Sequence, residues 1–165
     1  MPNANRDKGL KSERDVAAYC RAHGMPKAER RVAAGWDAGH RSDADLGDIK
    51  GIPGVCLQVK NVSGKYPRGL AGKALDELLI MTAMQTTASG AALGLLIEKR
   101  AGHASPGDWW VHVPAHMFAA LIFGIDPFSP PWDAYTPAIR IEFRHIVKHV
   151  AEFSAMCATP EGVAS

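Results

Sequence analysis

The chain of 165 residues predicts one mixed α/β domain in which helices cover a central sheet. Helical and strand-like apolar patterns follow one another in the order helix, three strands, helix, two strands, helix. One of the strand patterns, AALGLLIE, is almost wholly apolar, as expected for a strand covered on both faces. The length suits a single domain with a sizeable core.

The first predicted helix spans residues 11–23. Apolar residues recur there at helical spacing, Ser12 is a suitable N-cap, and Gly24 followed by Pro26 ends the run. Residues 1–9 are polar and charged, which indicates a disordered arm ahead of the helix.

Three strands are predicted next, at residues 29–36, 46–50 and 55–61. The polar stretch DAGHRSDADLG separates the first two strands. The sequence GIPG has turn chemistry and joins the second strand to the third. The last two strands therefore form a hairpin.

A long helical pattern with an apolar stripe covers residues 69–88 and ends at Gly90. The buried strand over 91–98 follows. After a polar loop, WWVHV at 109–113 predicts another strand, and a short helix opens at Pro114.

The composition changes after residue 123. GIDPFSPPWDAYTP is a Pro-rich connector, AIRIEF alternates as an edge strand does, and RHIVKHVAEF returns to helical spacing. We therefore divide the chain into a main domain at 1–123 and, at 124–165, a connector with a strand and helix that pack on the same domain.

Composition argues against several classes of protein. No apolar run approaches the length of a membrane span, and the polar N-terminus does not resemble a secretory signal. Three cysteines, an odd number, are far apart and lack CxxC spacing. Two of them, Cys20 and Cys56, lie in apolar patterns and are predicted to be buried thiols. A reducing cytoplasm is the expected location.

The charge is unevenly distributed. Residues 1–73 hold 14 Lys and Arg against 8 Asp and Glu, whereas residues 74–165 hold 5 against 9. A basic half is typical of proteins that bind polyanions, because phosphate contacts dominate nucleic-acid affinity. A solvated surface with uneven charge gives the same pattern, so charge leaves the choice open.

Three polar residues stand out in the hairpin GDIKGIPGVCLQVKN. Side chains alternate along a strand, so Gln58 and Lys60 share one face. If Asp48 ends the preceding strand and the GIPG turn returns the chain, Asp48 lies beside Gln58. Carboxylate and amide oxygens suit Mg²⁺, and a neighbouring lysine can activate water or neutralise a phosphorane-like transition state. This chemistry fits phosphodiester hydrolysis.

The hairpin resembles the signature of PD-(D/E)XK nucleases, in which aspartate on one strand precedes an acidic residue or glutamine, any residue and lysine on the next. The wider chain resembles the Holliday junction resolvases of phages and archaea. KGLKSERDVAAYCRAHG is similar to their first helix and AERRVAAG to their first strand. The resemblance continues through the long helix and the strands that follow it, and covers about residues 8–122.

This resemblance implies a restriction-endonuclease-like core of order αβββαβ and a Mg²⁺- or Mn²⁺-dependent endonuclease active in DNA recombination or repair. Asp48, Gln58 and Glu13 would hold the metal, and Lys60 would complete the catalytic set. The implied substrate is a four-way junction or other branched DNA, cut by a homodimer, and a phage-encoded protein would act in host cytoplasm. The residues predicted to bind DNA are Arg30, Arg31, Arg41, Lys65, Arg68 and Lys73.

The main departure is Gln58, because most of the family has glutamate at this position. Glutamine offers an oxygen but no charge, which makes Glu13 the second acidic ligand and predicts weaker metal binding or a preference for Mn²⁺. Two alternatives remain: a nuclease of the same fold acting on flaps, single strands or DNA ends, and a non-catalytic DNA-binding module with a degraded site. Lys73, four residues before Glu77, pairs with it either beside the metal or only at the surface.

Overall fold

The fold comes from a computed structural model that describes residues 4–32, 46–62, 64–66, 68–124 and 137–159. It is α/β, as predicted, with a mixed six-stranded sheet flanked by helices. The helices are α1 (Ala4–Ala22), α2 (Gly72–Ala88), α3 (Ala115–Phe123) and α4 (Val147–Ala158). The strands are β1 (Glu29–Arg30), β2 (Ile49–Lys50), β3 (Val55–Lys60), β4 (Leu93–Glu98), β5 (Trp110–Pro114) and β6 (Ala138–Glu142).

The described strands lie in the sheet in chain order, from β1 to β6. Only the pair β3 and β4 is parallel, with Gln58 opposite Leu96 and Lys60 opposite Glu98. The other neighbours are antiparallel. A parallel pair needs a crossover connection, and α2 supplies it between β3 and β4.

The two faces of the sheet carry different helices. Leu57, Leu95 and Val111 belong to the main core, which α1, α3 and α4 complete. The opposite face carries α2, whose Thr86 lies against Gly94 of β4. All six residues of β4 are buried, which confirms a strand covered on both faces.

Helix α1 starts earlier than predicted, at Ala4, and residues 4–9 are helical rather than disordered. Ser12 is not an N-cap: it is fully buried, and its hydroxyl donates to the Lys8 carbonyl at 2.9 Å. Asn61, just after β3, donates to the Lys8 carbonyl and to the Ser12 hydroxyl. These contacts between distant parts of the chain stabilise the first turns, and local sequence could not reveal them.

The strands around the hairpin are shorter than predicted. β1 covers two residues, and the described part of the predicted strand 29–36 leaves the ladder after Arg31, whose amide donates to the Asp48 carbonyl at 2.7 Å. β2 also covers two residues, Ile49 and Lys50. The predicted buried thiols, Cys20 and Cys56, are buried.

The C-terminal elements are part of the same structure. β6 pairs with β5 along five residues. A 3₁₀ turn at Phe143–His145 replaces the predicted start of the last helix, and α4 begins at Val147. Phe143, Ile146 and Val150 are fully buried in the main core. Across the described residues, no helix combines the length and apolar character needed to cross a lipid bilayer.

Candidate active site

The hairpin of β2 and β3 brings Asp48 against Gln58. Ile49 pairs with Leu57, and the Asp48 amide donates to the Leu57 carbonyl at 2.8 Å. One carboxylate oxygen of Asp48, Oδ2, accepts from Gln58 Nε2 at 3.2 Å and from the Val59 amide at 2.6 Å. The pleat argument therefore gave the correct placement of these two side chains.

Gly47 makes the close approach of the hairpin possible. Its φ angle is +87°, and a Cβ at this position would lie 2.8 Å from the Cys56 sulfur and 3.0 Å from the Leu57 carbonyl oxygen. Only glycine combines this backbone conformation with so little space. The dipeptide Gly47–Asp48 therefore fixes where the carboxylate stands.

Helix α1 contributes the second carboxylate, Glu13. Its Oε2 lies 3.6 Å from Nη1 of Arg30, and both side chains are largely buried. Burial raises the pKa of Glu13, the charge of Asp48 raises it further, and Arg30 and Lys60 lower it. The electrostatic influence of Asp48 and Lys60 on Glu13 means that all four side chains belong to one cluster.

Lys60 ends β3 on the same face as Gln58 and is half-buried. Its ammonium makes no ion pair or hydrogen bond with any described residue. A cation held beside two carboxylates without a fixed partner is available to a ligand.

The cluster has features that suit a divalent cation. Oε1 of Gln58 is buried and accepts no hydrogen bond from the described residues. The two carboxylates also repel one another, since Asp48 adds to the rise that burial causes in the pKa of Glu13. A hard cation between the carboxylates would relieve their repulsion, and the Gln58 oxygen is not committed to another hydrogen bond. The described residues hold no group of three His, Cys, Asp or Glu side chains fit for a metal, so a cation in this cluster would have two carboxylates and one amide oxygen available to it.

The residues predicted to bind DNA lie in different places. Arg30 belongs to the carboxylate cluster, whereas Arg31 lines a separate hollow with Lys27 and Lys50. Lys65 lies over the Tyr66 ring, 5.3 Å from its centre.

Arg68 lines a pocket at the end of β4. Lys73 forms an exposed pair with Glu77 at 3.8 Å, which favours a surface ion pair over a role beside the metal. Arg41 lies outside the described residues.

Sequence reasoning missed a buried polar pair on β4 and β5. Glu98 Oε2 and His112 Nε2 are 2.8 Å apart, and both side chains are almost fully buried. The other oxygen, Oε1, accepts from the Leu70 amide at 2.8 Å. The signal was the same as for Gln58: a polar residue within an apolar strand, in LGLLIE and in WVHVP.

His145 and His149 are four residues apart in the C-terminal region, a spacing at which two histidines of a helix can share a metal ion. His145 lies 3.5 Å from Glu142, and His149 lies 3.5 Å from Glu152. Each imidazole thus faces a different carboxylate, which does not favour a shared ion.

Comparison with known proteins gave no match, whether to a protein-family model, to a curated protein or to a solved structure. The chemistry of the cluster is therefore inferred from its own side chains.

Proposed function

We propose that the protein is a metal-dependent endonuclease of the PD-(D/E)XK class that cuts branched DNA, as a Holliday junction resolvase does. The observation that carries the proposal is the cluster of Asp48, Gln58 and Lys60 on one hairpin with Glu13 beside it. The order of elements also supports a restriction-endonuclease-like core. An antiparallel unit β1–β2–β3 is followed by α2 and the parallel strand β4.

Each residue of the cluster has a distinct role in this proposal. Asp48 and Glu13 hold Mg²⁺ or Mn²⁺, and the Gln58 oxygen is a further ligand. A metal held by these residues would polarise the scissile phosphate and lower the pKa of an attacking water. Lys60 orients that water and stabilises the negative charge that develops on the phosphate. Arg30 keeps Glu13 ionised and oriented.

The side-chain amide of Gln58 must turn over to act as a ligand, because its NH₂ group now faces Asp48. That rotation would give up one hydrogen bond of 3.2 Å and place Oε1, in exchange for Nε2, beside Asp48. The neutral ligand makes the site less acidic than one built with glutamate, which favours Mn²⁺ over Mg²⁺ as the better activator.

The proposed assembly is a homodimer, because a four-way junction is resolved by two cuts related by two-fold symmetry. Helix α2 offers an apolar surface for the second copy. Ile80, Met81 and Met84 lie on one stripe of this helix, and their exposed fractions are 60%, 44% and 68%.

A cleavage assay on a synthetic four-way junction tests the proposed activity. With Mg²⁺ or Mn²⁺, we expect the wild-type chain to cut and the variants Asp48→Asn and Lys60→Ala to lose at least about a thousandfold in rate. Glu152→Gln, which removes the charge of an exposed carboxylate on α4, is the control and should cut normally. Undiminished cleavage by either site variant would refute the catalytic role.

Flaps, single strands and linear duplexes run in the same assay identify the preferred DNA structure. If the chain cuts a flap, a single strand or a DNA end faster than the junction, it is a nuclease of the same fold with a different substrate.

A non-catalytic DNA-binding module is the second candidate. It is favoured by the state of Asp48, whose Oδ2 is already bonded to Val59 and Gln58. Junction binding in EDTA without any cleavage in Mn²⁺ is the result expected of such a module. Metal-dependent cleavage that Asp48→Asn abolishes would exclude it.

A further inference from the structure

A second basic site lies next to the candidate active site, beside the end of β4 and the middle of β6. It is a pocket of about 330 Å³ whose walls include Arg68, Lys99, Arg100 and Arg140. Three of these residues, all but Arg68, come from the half of the chain that is acidic overall. The fold therefore brings together positive charges from a part of the sequence in which acidic residues outnumber basic ones.

Three of the four cations have no acidic partner among the described residues: Arg68, Lys99 and Arg140. Arg100 is the exception, since its Nη1 lies 2.9 Å from Glu142. The Lys99 ammonium lies over the buried Trp109 ring, 5.1 Å from its centre. Arginines without an acidic partner that converge on one pocket repel each other unless an anion binds between them. The charge of the pocket thus favours a negatively charged ligand.

The floor of the pocket does not cancel this charge. Glu98 forms the floor, but both of its oxygens are already bonded, one to the Leu70 amide and the other to His112. The carboxylate is turned into the sheet and is almost fully buried. It therefore holds the loop that carries Arg68 in place without serving as that arginine's ion-pair partner.

Trp110 sets the positions of two guanidinium groups and indicates which part of a nucleotide would bind. Arg100 and Arg140 lie over its ring, with their Cζ atoms 4.4 and 5.0 Å from the ring centre. An indole occupied in this way is not open to base stacking. The pocket therefore suits a phosphate, which guanidinium groups bind through paired hydrogen bonds.

The pocket is continuous with the proposed catalytic edge. The Lys99 amide donates to the Lys60 carbonyl at 2.8 Å, and Lys60 stands opposite Glu98 in the sheet. From β3 to β6 the sheet covers three strand spacings, or roughly 14 Å. Successive phosphates of one strand are roughly 6 Å apart along the backbone, which is more than the axial rise of about 3.4 Å per nucleotide, so the span corresponds to two or three phosphates.

We infer that this pocket binds a backbone phosphate of the DNA strand being cut, two or three nucleotides from the scissile bond. The inference rests on the proposed function. It adds Lys99, Arg100 and Arg140 to Arg68 as residues that position the substrate. They would hold the DNA strand at a second point. The scissile phosphate beside Lys60 would then have a fixed orientation as well as a fixed position.

Equilibrium binding of a labelled four-way junction, measured in EDTA over a range of salt, tests the pocket without requiring catalysis. We expect Arg68→Gln and Arg140→Gln each to weaken binding about tenfold and to reduce the slope of log K against log salt by about 1. Lys148→Gln removes the same charge from exposed α4 and should change neither quantity. Wild-type affinity and slope in both pocket variants would overturn the inference.

Methylphosphonate substitutions, which remove the charge of one phosphate at a time, locate the contact. In the wild-type chain, one neutralised position two or three nucleotides from the cut should weaken binding. In Arg140→Gln the same substitution should have no further effect. Independent, additive losses at every position would overturn the inference.

A titration with inorganic phosphate, followed by NMR, separates a DNA subsite from a site for free anions. Phosphate binding that Arg140→Gln abolishes, together with unchanged junction binding, would mean an adventitious or small-anion site and would overturn the inference.

The two proposals fail in different ways. If the proposed function is wrong, the wild-type chain does not cut the junction, but the binding experiments still show whether the pocket contacts a phosphate. A wild-type chain that binds no DNA would overturn both.

Discussion

At the residue scale, Gln58 decides how the candidate site holds its metal. Its Oε1 is buried and accepts no hydrogen bond from the described residues, while its amide group donates to Asp48. A carboxylate at the same position would add a charged ligand but would also crowd Asp48 and Glu13.

We therefore expect Gln58→Glu to lower the free energy of unfolding in EDTA and to raise Mg²⁺ affinity about tenfold or more. Thermal unfolding with and without metal, and a calorimetric Mg²⁺ titration, measure the two effects. Gln85→Glu also buries a carboxylate but lies on α2, so it should lose stability without gaining affinity. Unchanged Mg²⁺ binding in Gln58→Glu would contradict the assigned ligand role.

Glu13 gives a pH-dependent prediction. Its pKa is raised in the folded chain, chiefly by burial and then by Asp48. The ionised side chain therefore costs stability at neutral pH. This cost disappears as the pH falls through the raised pKa and below the ordinary value near 4.5, where the group is protonated in both states.

We expect Glu13→Gln to have a higher Tm than the wild-type chain at pH 7 in EDTA and an equal Tm at about pH 3.5. Addition of Mg²⁺ should raise the Tm of the wild-type chain but not that of the variant. Glu77→Gln, on an exposed glutamate, is the control for a simple change of charge. A lower Tm of Glu13→Gln at pH 7 would mean that the ion pair with Arg30 outweighs burial.

Residue-scale prediction from sequence worked where it depended on strand geometry. The alternation of β3 and the turn before it were enough to bring Asp48 beside Gln58. The pair Glu98 and His112 was missed because it joins strands whose register no local pattern fixes. Of the pocket cations, Arg68 was predicted to bind DNA, whereas Lys99, Arg100 and Arg140 were missed, because Arg140 joins the others only through the pairing of β5 with β6.

At the element scale, the contact between α2 and β4 depends on one residue without a side chain. A Cβ on Gly94 would lie closer to Thr86 Oγ1 than real Cβ contacts allow, and 3.2 Å from Thr86 Cβ. Because Thr86 is buried and its hydroxyl donates to the Thr82 carbonyl at 2.7 Å, it cannot simply turn away.

Gly94→Ala should therefore lower the free energy of unfolding by about 1–3 kcal/mol through overpacking. Combining it with Thr86→Ala should recover part of that loss, so that the two changes are not additive. Urea unfolding of the two single variants and the double variant measures the coupling. Additive losses would contradict direct contact between these residues.

The exposed stripe of α2 gives a prediction on assembly. If a second copy covers Ile80, Met81 and Met84, Met84→Glu should shift the chain from dimer to monomer in sedimentation and slow junction cleavage. Met156→Glu changes a methionine of similar exposure on α4 and should leave the dimer intact. A wild-type chain that is monomeric at the concentrations used for cleavage would contradict this assembly.

Apolar periodicity predicted the type of each element better than its ends. Helix α1 begins seven residues before the predicted start of 11, because Asn61 supports its first turns from another part of the chain. The two-residue strands β1 and β2 were overestimated, since a pattern of alternation does not reveal where a neighbouring strand stops.

At the scale of the whole molecule, the C-terminal elements complete the core. Phe143 is fully buried and packs against Tyr19 of α1, with ring centres 5.4 Å apart. Local patterns in the sequence predicted a strand and a helix after the connector. They could not show that these elements pack in the main core, because that packing depends on residues distant in the chain.

We expect a chain ending at Gly124 to fail to fold, because it would expose the partners of β6 and α4. In the full chain, Phe143→Ala should cost about 3–5 kcal/mol of stability, measured by urea unfolding. Phe123→Ala removes an exposed phenylalanine and should cost far less. A cooperative unfolding transition in the shortened chain would contradict this prediction.

The hydrogen bond from the Val59 amide to Asp48 Oδ2 affects which residues evolution can change at this site. This carboxylate completes the hydrogen bonding of the hairpin where the backbone pairing of β2 and β3 stops. The Lys60 ammonium, in contrast, forms no hydrogen bond with the described residues. In a lineage that gave up cleavage, selection for folding would keep an aspartate or asparagine at position 48 and release position 60. Among relatives, the lysine is therefore the more informative mark of an active enzyme.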